Sequence, residues 1–179
     1  MAPRVFAFIR AINTGGRRLT NAQLLHPFRA AGLDDVDAYQ AAGNVAFRSG
    51  RAPAELEREL HEALSAAYGF DAPVFVRSAT ELRPTVTEPP FPAEVLARAT
   101  GKMQITFMAS APSATQIDDA LALVPAGDHV VFVDREWLWL PVAGVGESNL
   151  PVTGIERIVG AMTMRTVGTV ERMLARFGD

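Results

Sequence analysis

The sequence predicts an α+β fold made of two ferredoxin-like (βαββαβ) halves in pseudo-duplication, with an extra C-terminal helix. Segments with strand-like and helix-like spacing follow the order strand, helix, strand, strand, helix, strand, and this order recurs in the second half. A proline-rich stretch separates the two runs. We therefore expect one domain over residues 1–179, with halves at about 3–82 and 101–179 joined by a connector at 83–100.

The first strand and helix are defined by apolar spacing and by a capping signal. Residues Val5–Ile12 are apolar on both faces up to Arg10, which is typical of a central strand covered on both sides. A capping box at Thr20–Gln23 opens a helix with an apolar stripe. Pro27 is expected to kink this helix or delay its start, because proline has no backbone N–H.

The rest of the first half reads as a hairpin, a helix and a strand. Strands at 36–41 and Asn44–Arg48 are expected to form the hairpin, with Gly43 and Asn44 as its two-residue turn. A second helix fits Pro53–Tyr68, and residues after it supply the fourth strand. Four prolines between positions 83 and 100 are expected to break regular structure, apart from one short helix at Ala93–Ala99.

The second half repeats this order without a convincing residue-by-residue repeat. A capping box at Ser113–Gln116 opens its first helix, and a hairpin turn is expected near Asp134–Glu136. The next helix takes either Ser148 or Thr153 as its N-cap. The last strand is followed by a terminal helix whose apolar stripe comprises Val170, Met173, Leu174 and Phe177.

Composition sets limits on the chemistry. With 49% hydrophobic residues, 21% charged residues and no cysteine, the chain has an ordinary globular composition and cannot form disulfides, thiolate nucleophiles or Cys-based metal sites. His26, His61 and His129 are scattered without ligand spacing, so we expect no metal and no cofactor. No apolar run reaches the roughly 18 residues of a membrane span, and the apolar stretch Val5–Ile9 is too short for a signal peptide. We expect a cytoplasmic protein without a membrane partner.

Positive charge is concentrated at the start of the chain. The net charge is −3, which argues against nucleic acid as a partner. No acidic residue precedes Asp34, whereas five arginines do: Arg4, Arg10, Arg17, Arg18 and Arg29. Guanidinium groups bind planar or bidentate anions, so this segment favours a small anionic ligand.

The loop after the first strand is a candidate anion cradle. Gly15 and Gly16 would let backbone N–H groups approach an anion, and Arg17 and Arg18 would donate hydrogen bonds ahead of a helix N-terminus. The spacing matches neither a P-loop nor a dinucleotide fingerprint. The alternative is a turn that needs positive φ at glycine, flanked by solvated arginines.

Arg10 and Asn13 lie just before this loop in the sequence, where the first strand is expected to end. A charged group there must be paired or open onto a cleft, and a structural salt bridge is the competing interpretation for Arg10. Arg165 ends the last strand and would converge with Arg10 if the halves pack by pseudo-symmetry. The loop containing Glu147 has phosphate-turn geometry, but its carboxylate would repel phosphate, so a loop and helix cap is favoured.

Other polar and aromatic patterns have structural explanations. Trp137 and Trp139 share one side of a strand, which predicts core packing between the halves or, alternatively, a groove wall or homodimer surface. Four glutamates on one helix are expected to be solvated: Glu55, Glu57, Glu59 and Glu62.

Four motifs together resemble a known family. The stretches FIRAINTGG, YQAAGNVAF, GVGESNL and TMRTVGTV occur in the order and at about the spacing of the bacterial domain-of-unknown-function family numbered sixteen ninety-seven. The resemblance implies an α+β fold of two ferredoxin-like halves and no established activity, and it is the reason for singling out Asn44, otherwise a turn former. The chain departs from the family pattern at Ala11, Ala42, Glu147, Asn149 and Gly168.

Three functions remain open at this point. The leading one is a protein that binds a small anionic or phosphate-bearing ligand in a cleft between the halves, through Arg10, Asn13, Arg17 and Arg18. The second is an enzyme acting on a phosphorylated small molecule, with arginines stabilising developing charge. The third is single-stranded nucleic-acid binding on a sheet face, by stacking of bases on aromatic side chains.

Overall fold

The structure is a computed structural model that describes residues 1–13, 18–141 and 143–178. It is an α+β protein with two four-stranded antiparallel sheets and, in the described residues, seven helices. Its contacts define two compact units. One unit comprises Met1–Arg83 with the residues from Arg172 onward, and the other comprises Pro84–Glu171.

The first sheet has the strand order β2-β3-β1-β4, and each neighbouring pair is antiparallel. The elements of this part of the chain are β1 (Arg4–Ile9), α1 (Asn21–Ala30), β2 (Asp34–Ala38), β3 (Asn44–Arg48), α2 (Pro53–Tyr68), β4 (Val74–Ser78) and α3 (Ala79–Thr87).

The second sheet has the equivalent order, β6-β7-β5-β8, and is also antiparallel throughout. Its part of the chain contains α4 (Ala93–Arg98), β5 (Gln104–Met108), α5 (Ala114–Leu121), β6 (Asp128–Val133), β7 (Glu136–Pro141), α6 (Val152–Val159), β8 (Met162–Thr166) and α7 (Val167–Phe177). The 134–135 turn between β6 and β7 lies within the predicted interval.

The core of the first unit forms where α1 and α2 cover one face of their sheet. Leu24 and Phe28 of α1 and Leu60 of α2 are buried in one cluster with Val5 and Phe47 of the sheet. The rings of Phe28 and Phe47 meet edge to face, with centroids 5.6 Å apart. Because successive side chains of a strand point to opposite faces of the sheet, only alternate residues of each strand belong to this core.

The tryptophan pair belongs to the core of the second unit. Trp137 and Trp139 are buried in one cluster with Met108, Ile155 and Met162. The alternate residues of the same strand, Leu138 and Leu140, are also buried, so β7 offers no exposed aromatic face.

Helix α1 begins where the capping box predicts. Thr20 Oγ1 accepts from the backbone N–H of Gln23, and Gln23 Oε1 accepts from the N–H of Thr20. Pro27 lies inside the helix and does not delay its start. Proline cannot donate to the carbonyl of Gln23 four residues earlier, and the hydroxyl of Tyr68 donates to that carbonyl instead, at 2.6 Å. The proline is tolerated because α2 supplies the missing donor.

The predicted two-residue turn at Gly43 and Asn44 is wrong. Asn44 is the first residue of β3 and is fully buried, and β2 ends at Ala38, so a five-residue loop at 39–43 joins the strands. Gly43 has φ of +71°, and an added Cβ would lie 2.7 Å from the carbonyl oxygen of Ile9. Close approach to β1 requires glycine here.

The structure contains one helix that was not predicted and starts another at a different residue. Helix α3 enters the predicted connector as far as Thr87 and contains Pro84. Its N-terminus is held by a capping box that the sequence carries at Ser78–Glu81, with Ser78 N–H donating to Glu81 Oε2 at 2.7 Å. Helix α6 is preceded by Pro151 rather than capped by Ser148 or Thr153. The Ser148 hydroxyl instead accepts from the N–H of Leu150.

Candidate functional site

A pocket of about 490 Å³ lies between the end of β1 and the start of α1, and we call it the loop pocket. Its lining residues in the described structure are Asn13, Arg18, Leu19, Thr20 and Ala41. They come from the segment after β1, the N-cap of α1 and the 39–43 loop. Three separate pieces of chain thus build one depression in the first unit.

Asn13 holds the loop pocket together. Its Nδ2 donates to the carbonyl of Ala41, and its Oδ1 accepts from the backbone N–H of Leu19 at 2.9 Å. Asn13 has φ of +58°, a conformation that asparagine tolerates better than most residues. Its amide therefore joins the segment after β1 to the 39–43 loop and to the entrance of α1, which is a structural role.

Arg18 provides the positive charge of the loop pocket. The residue is exposed, and within the described part of the chain it forms no ion pair. Thr20, the N-cap of α1, lines the same wall, and the first turn of this helix contains no acidic residue. The N-terminal partial charge of α1 and the guanidinium of Arg18 therefore have the same sign at this pocket.

The other predicted site residues are not among the described lining residues of the loop pocket. Gly15, Gly16 and Arg17 lie outside the described residues. Arg10 directly follows β1 and is half-buried. Its backbone N–H donates to the carbonyl of Pro73 at 2.9 Å, and the residue has further partners within the protein. Buried Asn44 donates from Nδ2 to the carbonyl of Tyr39.

Arg165 is the fourth residue of β8, two residues before the start of α7, near the strand end where the sequence places it. Its Nη1 donates to the carbonyl of Met164 at 2.7 Å and to Oγ1 of Thr163 at 2.9 Å. Burial lowers the pKa of Arg165 to about 10, because removal from water disfavours the charged form. At neutral pH the guanidinium remains protonated. Arg165 is in the second unit and Arg10 is in the first, and their convergence remains a prediction.

Arg77 is the counterpart of Arg165 that the sequence analysis missed. It is the fourth residue of β4, as Arg165 is the fourth residue of β8, and its Nη1 donates to the carbonyl of the preceding Val76 at 2.8 Å. The signal was present in the sequence, since VRS and MRT both end a strand directly before a helix.

Arg77 also corrects the interpretation of Glu57 as a solvated residue. The side chain of Arg77 is 1% exposed and that of Glu57 is 11% exposed, and Nη1 lies 3.2 Å from Oε1. The same Oε1 accepts from the backbone N–H of Val76 at 2.8 Å. Glu57 is thus part of a buried ion pair. Glu55 and Glu59 are both paired with Arg51.

The loop that carries Glu147 forms a second pocket, of about 250 Å³, in the second unit. Asp128, Glu147, Ser148 and Asn149 are among its lining residues. The carboxylate of Asp128 accepts from Nε1 of Trp139 at 3.1 Å and from the hydroxyl of Ser148. Two carboxylates at this wall disfavour a phosphate, in agreement with the preference for a loop.

Two other kinds of feature are absent from the described residues. No group of three or more His, Asp or Glu side chains there has an arrangement that could hold a metal ion. None of the described helices is both long and apolar enough to span a membrane.

Comparison with known proteins identifies a fold and a family. The chain is similar to the solved structure of conserved bacterial protein SP0830 from Streptococcus pneumoniae, with a TM-score of 0.71, 18% sequence identity and 96% of each chain covered. At this identity the similarity shows the fold alone. No curated protein matches the sequence. The model of the family described as "Protein of unknown function (DUF1697)" matches residues 2–138, and the chain therefore belongs to the DUF1697 family.

Proposed function

We propose that this protein binds a small anionic, phosphate-bearing ligand in the loop pocket. The observation that carries the proposal is the exposed guanidinium of Arg18 in a wall that also contains the N-cap of α1. A helix N-terminus and an arginine are each suited to phosphate oxygens, and here both border one depression. Its volume of about 490 Å³ is within the usual range for small-molecule sites.

The charge distribution of the sequence supports the same ligand class. The acid-free segment that precedes Asp34 contributes both β1 and α1, which flank the loop pocket. The aspartates nearest in sequence belong to β2. An anion at Arg18 would therefore meet little local repulsion from the elements that build the pocket.

The strand orders support the finer description of the fold. We infer that each half is a ferredoxin-like βαββαβ unit, because β2-β3-β1-β4 and β6-β7-β5-β8 are the same antiparallel arrangement with two helices inserted at equivalent points.

Binding is favoured over catalysis by the composition of the pocket wall. Asn13, Arg18, Leu19, Thr20 and Ala41 include no carboxylate and no imidazole that could act as a general base. The hydroxyl of Thr20 is engaged in the capping box. Single-stranded nucleic acid is also disfavoured, because no aromatic side chain of the described residues is exposed for base stacking.

A thermal-shift screen tests the proposal with inorganic phosphate, pyrophosphate and a nucleoside monophosphate as probes. A ligand at one hundred times its dissociation constant stabilises the native state by about 2.7 kcal/mol, which raises the Tm by roughly 5–10 °C for a chain of this size. Arg18→Gln should abolish the shift. Arg29→Gln is the matched control, since Arg29 is exposed in the last turn of the same helix.

Two outcomes would contradict the proposal. In the first, no probe shifts the melting temperature of the wild-type protein. In the second, Arg18→Gln and Arg29→Gln reduce a shift equally, which would indicate general charge attraction rather than a site at the loop pocket.

A further inference from the structure

Each sheet of this protein has two edge strands, and such edges expose unpaired N–H and C=O groups to other chains. The edges are β2 and β4 in the first sheet and β6 and β8 in the second. Natural proteins block such edges with charges, bulges or covering side chains. Three of these four strands carry an identifiable block.

Strand β2 is blocked by charge and by distorted geometry. Three of its five residues are aspartates, and its pairing with β3 shifts register between Asp34 and Asp37. Asp35, at the shift, has φ of +48° and forms an ion pair with Arg48 at 2.9 Å. A second strand laid along this edge would meet a bulge and like charges.

Strands β4 and β8 are blocked by the two equivalent arginines. On β4, Glu57 accepts from the N–H of Val76 and Arg77 donates to the C=O of the same residue, so side chains occupy both groups. On β8, Arg165 donates to the C=O of Met164. The shared role of Arg77 and Arg165 is to satisfy backbone groups at a sheet edge.

Strand β6 carries no bulge and no side-chain hydrogen bond to its outward backbone groups in the described structure, and the side chain packed against it from outside the sheet is Phe91, whose ring contacts that of His129 with centroids 6.5 Å apart. Its pairing with β7 is regular over all six residues, and from His129 to Val133 it contains no carboxylate, lysine, arginine or proline. The two-residue turn that follows directs the backbone groups of Val133 and Val131 toward β7 and leaves those of Val130 and Phe132 pointing away. Within the described residues, only Asp128 of this strand has a backbone partner beyond β7, the carbonyl of Pro125.

We infer that β6 is an interaction edge and that its partner is β6 of a second copy of this chain, paired antiparallel about a two-fold axis. Because β2, β4 and β8 are blocked, the edge that a second copy offers for pairing is β6 itself. Like edges that pair in this way form a closed dimer rather than an open filament. The segment His129–Val133 contains no carboxylate, lysine or arginine, so pairing two copies brings none of these charges together.

Two substitutions on β6 and one control test this dimer. Val133→Lys places a charge at the exposed end of the strand, where the valine is 44% exposed. Val130→Pro removes an outward N–H without removing a donor to β7. Val145→Lys is the matched control, because Val145 is 47% exposed but lies in a loop.

Sedimentation equilibrium of the full chain gives the readout. The wild-type mass should rise with concentration toward twice the chain mass of 19.3 kDa, and hydrogen exchange at the Val130 and Phe132 amides should slow in parallel. Each β6 variant should weaken the dimer by about tenfold or more, and Val145→Lys should leave it unchanged. If Val130→Pro fails to fold by circular dichroism, Val133→Lys decides the question. A wild type that stays at the chain mass up to its solubility limit, or a dimer that Val133→Lys does not weaken, overturns the inference.

Discussion

Replacing Arg77 with methionine should destabilise the protein strongly, because it leaves a buried carboxylate without its guanidinium. Arg77 is 1% exposed, and its Nη1 contacts both Oε1 of Glu57, at 3.2 Å, and the carbonyl of Val76, at 2.8 Å. Methionine has a similar length and fills most of the same volume. The variant therefore reports mainly on the polar contacts rather than on a cavity.

The magnitude follows from the burial of the pair. Removing one partner of a buried ion pair costs about 3–5 kcal/mol, and Glu57, at 11% exposure, retains some access to water. We therefore expect a loss of about 3 kcal/mol, which corresponds to a decrease in Tm of roughly 6–12 °C for a chain of this length. Adding Glu57→Gln removes the stranded charge and keeps an acceptor for the N–H of Val76. The double variant should recover about 1–2 kcal/mol of the loss.

Urea denaturation followed by circular dichroism measures these differences, with scanning calorimetry for the Tm. A cost below about 1 kcal/mol for Arg77→Met would refute the reasoning, since that is the value expected of a solvated pair. So would a double variant less stable than Arg77→Met alone, because the effects would then add rather than compensate.

Two backbone arguments give further predictions, each with its own internal control. Tyr68→Phe removes the donor to the carbonyl of Gln23 and should lower the free energy of unfolding, measured by urea denaturation, by about 1 kcal/mol. In a Pro27→Ala background the backbone N–H of residue 27 can donate to that carbonyl, so the loss caused by Tyr68→Phe should be smaller. A loss of the same size in both backgrounds would contradict the role given to the Tyr68 hydroxyl. Gly43→Ala should lower the free energy of unfolding by about 1–3 kcal/mol more than Gly32→Ala does, because both glycines have φ near +70° but only Gly43 lies against β1. Equal losses of stability by calorimetry would show that the contact with Ile9 is unimportant.

Signals confined to a few neighbouring residues were read correctly from the sequence. The capping boxes at Thr20–Gln23 and Ser113–Gln116 are both formed, because each depends only on contacts within one turn. The bounds of α2 were predicted in full from the apolar stripe along one face of the helix, and they agree with Pro53 in its first turn and Gly69 directly after it. The box at Ser78–Glu81 was equally local and was overlooked beside the prolines that follow it.

The candidate site was predictable only in part. The sequence indicated the segment after β1 and its arginines, and the structure places Asn13 and Arg18 around one pocket. That Ala41 closes the other side could not be read from spacing, because the 39–43 loop reaches the pocket through pairing of β1 with β3. The structural role of the Asn13 amide depends on the same long-range contact.

The sequence by itself determined the order of the strands, the bounds of α2, the starts of α1 and α5, and the concentration of positive charge before Asp34. These follow from periodicity, capping and composition, which act over short distances along the chain. Only the tertiary structure decided that Asn44 is buried at a strand start, that Glu57 pairs with Arg77, and that β6 is an edge without the blocks found on β2, β4 and β8. The physical reason is that burial, ion pairing and edge exposure are set by which strands become neighbours, and residues far apart in the sequence determine that arrangement.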